Sequence, residues 1–199
     1  MLIAFEGGEG TGKSTQAARL ADRLGAVLTR EPGGTALGSR IRGLVLDPAN
    51  RELADRAEAL LMAADRAQHV AEVIRPALDA NRIVVTDRFA GSSLAYQSYG
   101  RGLPLDEVEH LSRWATDGVW PDLVVLLDVP EAVAEERLGA ERDRMEEVGD
   151  GFHGRVVAGF RALAAADPDR WVTVDGTGTL DEVGDRVWSV VSSRIGVMP

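Results

Sequence analysis

Residues 1–25, "MLIAFEGGEGTGKSTQAARLADRLG", decide the fold. "MLIAF" reads as a short apolar strand, and "KSTQAARLADRLG" sets Ala17, Leu20, Ala21 and Leu24 at helical spacing before Gly25 stops the helix. Between them, Gly7, Gly12, Lys13 and Ser14 satisfy the pattern G-x-x-x-x-G-K-[ST]. Glycines there let backbone N–H groups converge on an anion, and the helix start adds its partial positive charge. The expectation is that Gly7, Gly8, Glu9, Gly10, Thr11, Gly12, Lys13, Ser14 and Thr15 wrap a nucleotide's phosphates, with Lys13 on the outer phosphates and the Ser14 hydroxyl on a magnesium ion. Lys13 is the only lysine in the chain, all other basic positions apart from the histidines being arginine. Glu9 is the anomaly, a carboxylate where polyanionic phosphates must settle.

Working outward, 199 residues suit one domain, residues 1–199, large enough for a sheet with covering helices. The absence of cysteine excludes a disulfide framework and a thiolate metal site. The first strand starts at Leu2, so no secretory leader is expected, and no apolar run reaches the length of a membrane span. A cytoplasmic protein without membrane contact is expected. A formal charge of −10 argues against a nucleic-acid partner, which calls for a basic surface, but leaves room for a locally positive nucleotide site.

Apolar runs at 2–6, 26–29, 83–86, 123–128 and 171–174 read as strands. "RIVVTD" and "DLVVLLD" are continuously apolar, as in strands buried on both faces of a parallel sheet. Helical patterns fall at 13–24, 35–46, about 52–80, 91–99, 105–117, 131–138, 150–166 and 179–195. The alternation predicts an α/β three-layer fold, a five-stranded parallel sheet flanked by helices. The charged, glycine-bracketed segment 139–151, "GAERDRMEEVGDG", reads either as a solvated helix end or as a short mobile lid over the phosphates.

In a parallel sheet, ligands bind beyond the carboxyl ends of the strands. The second strand runs into Arg30 and Glu31, and the third into Asp87 and Arg88. Within helix 52–80, Met62 and Arg66 lie four apart and share a face, so the pair could sandwich a base and read its edge, although a helical Met is more often core. His69, His110 and His153 read as surface or hydrogen-bonded structural residues.

Six segments, "FEGGEGTGKST", "TREPGGT", "LLMAADRAQH", "DRFAGSSLAYQ", "PDLVVLLDV" and "DRME" followed by "FHGRV", resemble the bacterial thymidylate kinases in residue type, order and separation. The resemblance covers almost the whole chain. It implies a P-loop kinase fold and a homodimer, and ATP-dependent, Mg²⁺-assisted conversion of dTMP to dTDP. Carried over by position, Lys13 and Ser14 hold ATP phosphates and metal, while Glu31, Arg42, Asp87 and Arg88 surround the acceptor phosphate and its water and metal shell. Arg66, Ser93 and Gln97 resemble the residues that read thymine, and Tyr96 the ring that crowds the ribose 2′ position. Glu9 falls near the acceptor 3′-hydroxyl. Two departures stand out: Met62 occupies a position where the family stacks a phenylalanine on thymine, and the lid is short. With an acidic residue in the loop, the family draws its catalytic arginine from the lid, which makes Arg144 the first candidate and Arg142 the second.

Two other readings compete. One is a different P-loop nucleoside or nucleoside monophosphate kinase. The other is a nucleotide-binding switch, against which stands the impossibility of an N-K-x-D guanine motif when the sole lysine is Lys13.

Overall fold

The computed structural model describes residues 1–138, 144–145, 148 and 151–196. Five parallel strands, β1 (Leu2–Glu6), β2 (Val27–Arg30), β3 (Val84–Asp87), β4 (Leu123–Asp128) and β5 (Trp171–Asp175), lie in the order β2-β3-β1-β4-β5. Alternate residues of β1 face opposite layers, as the pleat requires. Ile3 and Phe5 pack with Ala17, Leu20 and Ala21 of α1 (Lys13–Leu24), and Leu2 and Ala4 pack with Val70, Ile74 and Phe89. The chain passes from central β1 to edge strand β2, returns to β3, then crosses to β4 on the other side. That reversal opens a crevice at the carboxyl end of β1, where the phosphate loop begins.

Helices α2 (Ala36–Leu46) and α3 (Asp55–His69) lie against each other, and α3 continues through a π-helical segment, Val70–Ile74, into α4 (Arg75–Asp79). Pro76 has no N–H for the helical ladder, and the wider turn before it absorbs the loss. A second π segment, Leu94–Gly100, follows α5 (Ala90–Ser93) and carries Tyr96 and Gln97. Periodicity predicted ordinary helix at both places, because hydrophobic spacing alone does not separate 3.6 residues per turn from the wider π turn. Helices α6 (Leu105–Ala115), α7 (Glu131–Arg137), α8 (Phe152–Ala166) and α9 (Leu180–Ile195) complete the layers, with α9 beside α1. The fold class and all five strands agree with the sequence expectation to within a residue or so at each boundary. No helix among the described residues is long and apolar enough to cross a membrane.

Candidate active site

The loop after β1 has the conformation its glycines permit. Gly7 has φ +143°, and a Cβ there would stand 2.4 Å from the Leu127 carbonyl oxygen. Gly10 has φ +70° and lies so close to α7 that a Cβ would meet the Ala134 carbonyl oxygen at 2.3 Å. Glycine therefore serves both the left-handed backbone and the close approach. Lys13 is buried, its Nζ donating to the Gly8 carbonyl at 2.5 Å and to Thr11 Oγ1 at 3.3 Å. Burial, then Arg88, push its ammonium down to about 8, against the pull of Glu9, Asp87 and Glu6. Thr15, the last residue of the expected wrap, is exposed at the start of α1.

Ser14 Oγ donates to Asp87 Oδ2 at 2.5 Å across the crevice. Asp87 Oδ1 is buried without a hydrogen-bond partner. A hydroxyl, a carboxylate and an unsatisfied buried oxygen fit a hard cation that takes its other ligands from phosphates and water. No group of three or more acidic, histidine or cysteine side chains able to hold a metal occurs among the described residues.

Arg88, next after β3, has φ +70°. A left-handed arginine is uncommon and costs roughly 1–3 kcal/mol, so the surroundings must hold it there. They do: Nη1 donates to the Gly7 carbonyl and Ser92 Oγ, both at 3.0 Å, and Nη2 to Glu9 Oε1 at 2.6 Å and the Tyr96 hydroxyl at 3.2 Å. The same Glu9 oxygen accepts from the Tyr96 hydroxyl at 2.7 Å. Burial pushes the Glu9 carboxyl up, but Arg88 and Lys13 outweigh it and hold the group at about 2. Glu9 thus faces cations and a phenol, which resolves the anomaly of its position in the loop.

Two cavities meet at this cluster, and Glu9 and Tyr96 line both. The larger is mostly apolar, between the loop, β4, α7 and α8, with Leu126, Val156 and Phe160 in its wall. The smaller lies toward α2 and α3 and gathers Arg42, Met62, Arg88, Tyr96 and Gln97 of the residues expected there, together with Ser92, Val45, Leu46 and Met145.

Three expected members are elsewhere. Arg66 is 1% exposed: its Nε donates to Glu31 Oε2 at 2.8 Å, Nη1 to Ser112 Oγ, and Nη2 to the Phe89 carbonyl and Ser93 Oγ. Glu31 is equally buried, and His69 Nδ1 lies 2.9 Å from its other oxygen. Arg66, Glu31 and Ser93 therefore do not line the smaller cavity, because a buried carboxylate draws the arginine inward and the arginine takes up the serine hydroxyl. Met62 and Arg66 share a helix but not the cavity. His69, bonded to Thr29 Oγ1 and Glu31, is the structural histidine expected, and His110 is exposed.

Arg144 is also not at the phosphate loop. It is buried, donating through Nη2 to Glu58 Oε2 at 2.5 Å, through Nε to the Val45 carbonyl at 2.6 Å and through its backbone to the Leu46 carbonyl at 3.0 Å. The carbonyls ending α2, which have no partner within the helix, and a buried carboxylate both attract a guanidinium. Arg142 and most of segment 139–151 lie outside the described residues.

Sequence reasoning missed Glu6, Ser92 and Glu58. Glu6 accepts from the backbone N–H of Phe89 and Ser92, both at 3.0 Å, and from Ser92 Oγ at 2.6 Å, fixing the turn that aims Arg88. Burial raises its carboxyl to about 7 despite those donors. Its place as the last residue of the strand before the loop was the available signal.

A family model described as thymidylate kinase matches residues 5–187. A thymidylate kinase from Synechococcus sp. (strain JA-2-3B'a(2-13)) is 50% identical over 202 residues, covering 98% of this chain and 96% of that protein. One from Bifidobacterium longum (strain NCC 2705) is 48% identical, covering 98% and 97%. The crystal structure of thymidylate kinase from Ehrlichia chaffeensis superposes with a TM-score of 0.80 at 31% identity, covering 96% of this chain and 98% of that one.

Proposed function

The chain belongs to the thymidylate kinase family and phosphorylates dTMP to dTDP with ATP, and we propose that the residues around the phosphate loop divide that work as follows. The loop amides and Lys13 bind the donor phosphates, and the ammonium, held low by burial, regains its proton affinity when oxyanions arrive. Ser14 and Asp87 would hold Mg²⁺, which when bound neutralises phosphate charge and orients it. Arg88, with Arg42 at the far side of the cavity, receives the dTMP phosphate. An oxygen of that phosphate forms the new P–O bond as the bond between the γ-phosphorus and the ADP oxygen breaks. The attacking oxygen is already ionised, so no general base is required, and positioning and charge neutralisation carry the reaction.

Glu9 accepts a hydrogen bond from the sugar 3′-hydroxyl, and Tyr96 closes the space at the 2′ position. Gln97 and Met62 contact the base. Glu31, Arg66 and Ser93 support this pocket from behind, and a finger role for Arg144 requires it to leave Glu58 and the end of α2. The observation that carries the assignment is the Arg88 guanidinium, which bridges the Gly7 carbonyl of the donor loop and Glu9 of the acceptor cavity.

The enzyme is a cytoplasmic homodimer in this reading. An apolar stripe on α3, exposed Leu60 and Ala64 followed by Ala71 just beyond the helix, runs at heptad-like spacing with no cover from the other described residues. An ADP-release assay with dTMP, dUMP, dCMP and thymidine tests the activity, with Lys13→Ala as control. Turnover is expected with dTMP and lost by at least about a thousandfold in the variant. Preference for thymidine or dCMP, or a variant near wild-type rate, overturns the reading.

A further inference from the structure

Glu58 lies outside every motif that suggested a nucleotide site, and it is 0% exposed. Its Oε1 accepts from Gln97 Nε2 at 3.0 Å and Arg101 Nε at 3.3 Å. Its Oε2 accepts from Arg101 Nη2 at 3.0 Å and Arg144 Nη2 at 2.5 Å. Burial pushes this carboxyl up, but the hydrogen bonds from Arg101, Gln97 and Arg144 outweigh it and hold the group below the usual carboxylate range. A carboxylate held ionised in this way only accepts hydrogen bonds.

That fact settles an ambiguity in Gln97. An amide can turn over and exchange its oxygen and nitrogen, and the correct orientation follows from its partners. Against an acceptor-only anion, Gln97 must present its NH₂. Its Oε1 is then turned away from Glu58, and it is buried with no partner. Gln97 also lines the acceptor cavity, beside Met62 and Tyr96. A buried acceptor without a donor is costly, about 1–3 kcal/mol, unless a ligand supplies one.

We propose that Glu58 is the positioning residue for base selection: it locks the Gln97 amide so that the cavity offers a hydrogen-bond acceptor and admits a pyrimidine with an N–H at N3. The inference rests on the dTMP kinase reading above. Thymine in a nucleotide has one N–H donor, at N3, and it meets the Gln97 oxygen. Cytosine in the same pose sets its N3 lone pair against that oxygen, and must shift to use its 4-amino group instead. Glu58 touches no substrate and acts through Gln97. Arg101 and Arg144 keep it charged, so both arginines contribute indirectly to the same choice.

The test compares kcat/KM for dTMP and dCMP in the wild-type enzyme, Glu58→Gln and Gln97→Met, each checked for folding by thermal melting. A neutral amide at position 58 accepts or donates, freeing Gln97 to turn over. Glu58→Gln is expected to lower the dTMP:dCMP ratio at least about tenfold, the scale of one unsatisfied buried group, whereas general damage to the fold lowers both activities and leaves the ratio in place. An unchanged ratio in a folded Glu58→Gln protein overturns the proposal. If that variant does not fold, the wild-type protein decides. With ¹³C,¹⁵N-labelled protein and ¹³C,¹⁵N-labelled dTMP, a through-hydrogen-bond coupling is expected between thymine N3 and the Gln97 side-chain carbonyl carbon, whose signal is assigned by its loss in Gln97→Met. A coupling from the Gln97 side-chain nitrogen to a thymine carbonyl carbon instead shows the NH₂ facing the base and overturns it. Absence of dTMP transfer in the wild-type enzyme is a different result: it removes the dTMP kinase reading, and with it the ligand on which this inference depends.

Discussion

The phosphate loop and helix α3 both carry cationic side chains that the sequence points toward substrate, yet they treat them in opposite ways. At the loop, Lys13 leans on a carbonyl and a hydroxyl of its own loop, and Arg88 spans from Gly7 to Glu9 at the cavity wall. Both can exchange these partners for phosphate. On α3, Arg66 ends on Glu31, Ser93 and the Phe89 carbonyl, with the ion pair 1% exposed on each side. Arg144, arriving from the other side, ends on Glu58 of the same helix. In the proposed division of work, one region keeps charge available for ligand. The other spends it on holding α2, α3 and the residues after β3 in register.

Arg66→Met breaks this contrast most severely. The variant leaves Glu31 buried beside Asp65, whose carboxyl is already raised, first by burial and then by Glu31. Removing one partner of a buried pair costs about 3–5 kcal/mol. Denaturant unfolding is expected to show a loss of that size, with the KM for dTMP nearly unchanged in the protein that remains folded. A stability loss below about 1 kcal/mol with a large rise in KM would mean that Arg66 swings out to read the base, and that the two regions are alike.

A smaller effect sharpens the loop's side of the comparison. Free Lys13 titrates at about 8, and bound phosphates stabilise its charged form and raise that value. Below pH 8 the group is charged both free and bound, so ATP affinity is flat in pH on its account. Above pH 8 binding must take up a proton, and affinity falls with a slope approaching tenfold per pH unit. Calorimetric titration with ATP alone between pH 7 and 9.5, in buffers of different ionisation enthalpy, reads both the slope and the proton. Constant affinity without proton uptake above pH 8 would place Lys13 outside the donor site.

This division also explains what could be read in advance. The strands, the loop and its helix follow from apolar runs and glycine spacing, which are local, and they stand where residues 1–25 and the later apolar runs put them. Lys13 and Ser14 are legible for the same reason. Asp87 and Arg88 are legible because a buried strand ends there, and strand ends in a parallel sheet share one edge. Arg66 and Arg144 are not, because their direction depends on which carboxylate the fold brings near. Glu31 is 35 residues from Arg66, and Glu58 is 86 from Arg144. No period or motif reports such a pairing. Glu58 escaped notice for a related reason: an acidic residue in the first turn of α3 reads as a solvated helix start.

Met62 lies between the two regions, on α3 but facing the cavity, and substituting it gives the smallest expected change. Its side chain packs with Ile41 and Val45 while lining the same space as Tyr96 and Gln97. A thioether contacts a base without offering it a flat face. Met62→Phe adds a ring that can stack on thymine, a gain of about 0.5–1.5 kcal/mol beyond area burial, so KM for dTMP is expected to fall roughly two- to tenfold. Because the ring meets the base equally before and during transfer, kcat should stay the same. The opposing term is overpacking, since a larger side chain pressed into the α2–α3 contact costs about 1–3 kcal/mol. Steady-state kinetics and a melting curve on the same preparation separate the two. A lower KM with unchanged Tm places position 62 at the base, on the substrate side of α3. A higher KM with a lower Tm places the ring against Ile41 and Val45, and assigns Met62 to the buried framework with Arg66.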